Sequence, residues 1–128
     1  MTTYTVYRHA SDFVEGSGLT AEQAAEIILS HDGARWELRR EPARWDIAGV
    51  PCWQVYGPPP GGRGEWVPYY DGPPPHGRAL EACAPTEAEA WAKIAPMVLT
   101  ADWRGPFTVM TDADFDAMMA ELAAERED

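Results

Sequence analysis

From Thr2 to Arg8 the side chains alternate, with Tyr4 and Val6 on one face and Thr3, Thr5 and Tyr7 on the other, which predicts a first strand. A Gly-, Ser- and Asp-rich stretch follows and predicts a loop. Thr20 then stands where it can cap a helix, with Gln23 reaching back to complete a capping box and Leu19 placed to staple onto Ala24. Ala21, Ala24, Ile27 and Ile28 recur at helical spacing and form the predicted buried stripe, and Gly33 suits a left-handed terminating turn. Between Ala34 and Arg39 the period returns to two, with Trp36 and Leu38 opposed to Arg35, Glu37 and Arg39. Val50 to Tyr56 predicts a third strand, Glu65 to Tyr70 a fourth held between proline loops, and Arg78 to Cys83 a short fifth.

Helical spacing resumes after Thr86, whose neighbour Glu89 suggests a second capping box, with Ala88, Trp91, Ala95 and Val98 along one face. Pro96 removes the hydrogen bond to the Ala92 carbonyl and predicts a kink or an early end. Thr111 opens a final helix that carries Asp112, Asp114 and Asp116 in its first turns and Phe115, Met118, Met119 and Leu122 as its apolar stripe. The order β-α-β-β-β-β-α-α predicts an α+β fold, an antiparallel sheet of four to five strands with helices packed on one face. Residues 1–128 read as a single domain with a Pro/Gly-rich exposed insertion at 57–78, which holds seven Pro and six Gly.

Charge changes this picture at one end of the chain. Ten Lys and Arg face 21 Asp and Glu, for a net charge of −11. By segment the balance is −4 over 1–34, +1 over 35–78, −2 over 79–111 and −6 over 112–128. A surface of this sign repels nucleic acid and anionic membranes and attracts basic protein surfaces. On a helical projection Asp114, Glu121 and Glu125 flank one side of the final stripe, and Asp112 and Asp116 the other. Acidic residues late in a helix oppose its dipole by about a few tenths of a kcal/mol each, so helix stability does not explain Glu125. The expected partner is therefore a basic protein surface, with Asp112, Asp114, Asp116, Glu121 and Glu125 as protein-binding residues. Trp66, Tyr69 and Tyr70, rigid aromatics between proline loops, are the expected anchors.

Catalytic signatures are weak. His9, His31 and His76 lack a partner at zinc-site spacing, and Gly61-Gly62-Arg63-Gly64 lacks the Gly-Lys-Ser/Thr ending of a phosphate loop. The expectation is binding without catalysis, with no cofactor and no metal. Cys52 and Cys83 are expected as free thiols. Two alternatives stay open: a small-molecule binding protein or minor enzyme with a pocket between sheet and helices near Cys83 and His76, and a structural oligomer, a homodimer among its forms, paired through Phe115, Met118 and Met119. The N-terminus lacks the basic and apolar segments of a signal peptide, and no stretch reaches membrane-spanning length, so a cytoplasmic location is expected.

The first strand, Leu19-Thr20-Ala21-Glu22-Gln23-Ala24-Ala25, Asp32-Gly33 followed by Trp36-Glu37-Leu38-Arg39, and Thr111-Asp112 opening an acidic helix together resemble small accessory proteins of bacteriophages and prophages. Some of those proteins are anti-CRISPR or anti-restriction inhibitors. The resemblance implies a DNA-mimicking inhibitor that blocks the nucleic-acid-binding surface of a host defence complex in the host cytoplasm. The Pro-rich segment at 57–78 departs from the shorter connection expected of that group.

Overall fold

The computed structural model describes residues 2–8, 13–30, 33–59, 64–68, 79–100 and 107–127. Strand β1 (Tyr4–Arg8) is the centre of a three-stranded antiparallel sheet, flanked by β2 (Phe13–Leu19) and β7 (Phe107–Thr111). A second antiparallel sheet is built on β4 (Cys52–Gly57), paired along one edge with β3 (Glu37–Arg40). Its other edge takes β5 (Val67–Pro68) opposite Tyr56 and Gly57, and β6 (Glu81–Cys83) opposite Cys52 to Gln54. Helices α1 (Ala21–Leu29), α2 (Glu87–Val98) and α3 (Asp112–Glu127) complete an α+β fold. Among the described residues no helix is long and apolar enough to cross a membrane.

Local chemistry sets the helix starts. Thr20 Oγ1 accepts the Gln23 N–H at 3.2 Å and Gln23 Oε1 accepts the Thr20 N–H at 2.9 Å, the reciprocal box expected from the sequence. Thr86 Oγ1 accepts the Glu89 N–H at 3.2 Å, without the return bond. Pro96 lies inside α2, which runs on to Val98, so the helix does not stop at the proline and forgoes the N–H bond to the Ala92 carbonyl there. Gly33 does adopt φ +76°, but α1 has already ended with Ser30 as its C-cap.

One core draws on both sheets and two helices: Val6 and Phe107 from the first sheet, Val55 and Leu80 from the second sheet and its approach, Ala24, Ala25, Ile28 and Leu29 from α1, and Ile94, Ala95 and Val98 from α2. The buried face of α2 is turned slightly from the expected one: Ala90 and Ile94 are buried, Ala88 is exposed, and Trp91 stacks on Trp36 with ring centroids 4.9 Å apart.

Four details differ from expectation. The strands divide into two sheets. Residues 13–19 form a strand although Gly16 and Gly18 mask its pattern, and β1 accommodates it through two register shifts. Residues 107–111 form another, pairing Val109 with Val6. Finally, α3 lies against the opposite face of the first sheet from α1. Val6 and Val109 point to the core, while Thr5 and Tyr7 point to α3, where Tyr7 meets Phe115 at 5.8 Å between centroids.

Candidate functional site

The start of α3 is clasped to the first sheet by one carboxylate. Asp112 accepts hydrogen bonds from the hydroxyls of Thr3 and Thr5, the latter at 2.6 Å, and from the Gly18 N–H at 3.1 Å. Its own N–H donates to the Thr3 carbonyl at 3.0 Å, so the β-ladder runs directly into the helix. Gly18 turns its N–H toward the carboxylate with φ +64°, a conformation that a side chain disfavours. The Thr3 hydroxyl first, then Thr5 and Gly18, hold the Asp112 carboxyl below the usual carboxylate range, against a smaller opposing effect of burial. Asp112 was expected on the binding face; it is occupied in joining β1, β2 and α3.

The remaining predicted acids stand differently. Asp114, Asp116, Glu121 and Glu125 are all exposed, and among the described residues none of their carboxylates pairs with a cation. Between their two rows runs the apolar stripe. Phe115 and Met118 are half-buried, whereas Met119 is 46% and Leu122 39% exposed. Thr111 Oγ1 accepts the Asp114 N–H at 3.1 Å and caps the first turn. The helix is thus fixed at its start, and beyond it Met119 and Leu122 remain exposed between the acids.

The predicted aromatic anchors separate. Tyr69, Tyr70 and His76 lie outside the described residues. Trp66 is half-buried on the second sheet, with Arg39 5.4 Å and Arg35 5.9 Å from its ring centroid, so cation–π contacts with its own chain engage it. Arg39 also lies over the Tyr56 ring at 5.0 Å, and Tyr56 Oη donates to Glu41 at 2.5 Å.

A cavity of about 380 Å³ adjoins these residues, lined among others by Glu41, Trp45, Gln54, Tyr56, Cys52 and Cys83. It does not lie between sheet and helices, where the sequence placed it. Val55 points to the helices, and the alternation of β4 turns Cys52, Gln54 and Tyr56 to the opposite, outer face. Gln54 Nε2 donates to Glu81 at 2.7 Å across this face. One wall is a tight two-residue turn from Ile47 to Val50, in which Ala48 and Gly49 have φ of +52° and +78°. Alanine is disfavoured there, so Ala48→Gly raises unfolding free energy in urea titrations by up to about 1 kcal/mol.

Comparison of the chain with protein families, curated proteins and solved structures gives no match.

Proposed function

We propose that the protein acts by binding, with α3 as a helical ligand that fills an apolar groove rimmed by arginine or lysine on a partner protein and so blocks it. The observation that carries this reading is the stripe at positions 115, 118, 119 and 122, left partly open to solvent and bordered on both sides by carboxylates that pair with no cation among the described residues. A helix whose only task was to cover the sheet would turn Met119 and Leu122 inward. Anchors at i, i+3, i+4 and i+7 are the pattern with which a helix enters a groove, and acids along both flanks select cationic rims. A groove shaped to hold a phosphate backbone has that character, which agrees with the resemblance to phage inhibitors of nucleic-acid-binding defence complexes. Pairing of two copies through the same stripe brings like charges together, so a foreign cationic partner fits better than a homodimer.

A photoreactive residue at position 119 captures the partner by cross-linking. Its purified form then binds more tightly at low than at high salt. The variant D114N/D116N/E121Q/E125Q loses about 10–100-fold in affinity at low salt while its circular dichroism stays that of the parent. Equal affinity of parent and variant would remove α3 as the docking element.

A further inference from the structure

The outer face of the second sheet holds a feature that this binding role does not use. Cys52 on β4 and Cys83 on β6 are direct cross-strand partners, and both are free thiols. Their neighbours fix the kind of pair. The Ala84 N–H donates to the Pro51 carbonyl and the Val55 N–H to the Leu80 carbonyl, each at 3.0 Å. Because hydrogen-bonded and non-hydrogen-bonded pairs alternate along an antiparallel ladder, Cys52 and Cys83 occupy a non-hydrogen-bonded site. Cα atoms at such sites approach to about 4.5 Å with both side chains on one face, inside the span of about 4.4–6.8 Å that a disulfide bridges.

The two thiols are unequal in access. Cys52 is 9% exposed and its S–H bonds to the Trp45 carbonyl at 3.1 Å, whereas Cys83 is half-buried. Both line the cavity of about 380 Å³, whose wall includes the largely exposed Trp45 and Ile47. Of the two residues, Cys83 is the more exposed to a small solute.

We infer that Cys83 and Cys52 form a thiol–disulfide exchange site for low-molecular-weight disulfides of the glutathione type, and that exchange closes a disulfide between β4 and β6. Cys83 gives its proton to solvent and its thiolate attacks one sulfur of the small disulfide. That S–S bond breaks, the first small thiolate leaves and takes up a proton, and Cys83 carries a mixed disulfide. Cys52 then loses its proton and attacks Cys83 Sγ, expelling the second small thiol. Two protein thiols are oxidised by two electrons, and one small disulfide is reduced to two thiols. The second step is the slow one. Interaction with the Cys83 sulfur, then burial, then the charges of Glu81 and Asp46 push the Cys52 thiol up to about 11. Glu41 across the cavity adds negative charge, and Arg40, 3.5 Å from Asp46, offsets part of it. Closure ties together the two ends of the Pro/Gly-rich segment and constrains the unfolded chain.

Reduced protein is incubated with excess oxidised glutathione in mildly alkaline buffer, quenched in acid, alkylated and weighed by intact mass spectrometry. The expected product lacks two hydrogens, takes up no alkylating agent, melts on the order of 10 °C higher and reverts with dithiothreitol. Cys52→Ser stops at one glutathione on Cys83, and Cys83→Ser does not react. Because the primary result comes from the unaltered chain, it does not depend on either variant folding. Two alkylatable thiols after the treatment, or a glutathione adduct that persists without resolving, would overturn the assignment.

Discussion

Asp112→Asn lowers the melting temperature at neutral pH by several degrees and flattens the loss of stability that the parent shows in acid. The carboxylate receives three donors, the hydroxyls of Thr3 and Thr5 and the N–H of Gly18. An amide offers one acceptor oxygen and turns an NH2 group toward donors, of which the Gly18 N–H cannot reverse its polarity. The acid limb follows by linkage. Asp112 in the folded chain titrates below the ordinary aspartate value of about 3.9, so the folded state favours the ionised form. The stability this confers is present above about pH 4 and is lost as pH falls through the folded value. Asparagine does not titrate and removes that dependence. Thr5→Val makes the companion test, because Thr5 is 1% exposed and its hydroxyl has the carboxylate as partner; it costs about 1.5–3 kcal/mol. Thermal melts from neutral pH downward read both variants. A variant at Asp112 that melts like the parent and keeps its acid limb would show that the clasp contributes nothing.

This separates two uses of negative charge on a single helix. Asp112 is spent on the fold, so its removal lowers stability, whereas neutralising Asp114, Asp116, Glu121 and Glu125 leaves the sheet contacts intact and removes only the charge presented to solvent. The distinction was not legible in the sequence, where all five acids fall on the flanks of one stripe. Thr3 and Thr5 lie 109 and 107 residues from Asp112 along the chain, and nothing local announces that they meet.

What the sequence did make legible is short-range. The caps at Thr20, Thr86 and Thr111 depend on residues three positions apart, and each is found where expected. Strand β2 was hidden because Gly16, Gly18 and two register shifts break its alternation. Strand β7 was hidden because Thr111 both ends the strand and caps α3, so the helix signal overrode the alternation of Phe107 to Thr111. Trp66 read as an exposed anchor because the arginines beside it, Arg35 and Arg39, arrive from a different strand region. Likewise Cys52 and Cys83 are separated by 31 positions, and only the register of β4 on β6 makes them partners.

The largest single-site effect separates the fold from the presented helix. Ile94→Ala costs about 2–5 kcal/mol of unfolding free energy, because Ile94 is 0% exposed within the cluster shared by Ile28, Val55 and Leu80 and its removal leaves a cavity that surrounding helices and sheet refill only in part. Leu122→Ala, at a position 39% exposed, changes stability by about 0.5 kcal/mol or less, since alanine propagates a helix at least as well as leucine and little apolar contact is lost. Urea titrations of both variants read the contrast directly through their midpoints at constant slope. Were Leu122→Ala to cost as much as Ile94→Ala, the stripe of α3 would belong to the core and could not also serve as the surface offered to a partner. If instead Leu122→Ala leaves the midpoint in place and weakens capture of the cross-linked partner, then its apolar side chain is held in solvent for the groove it enters.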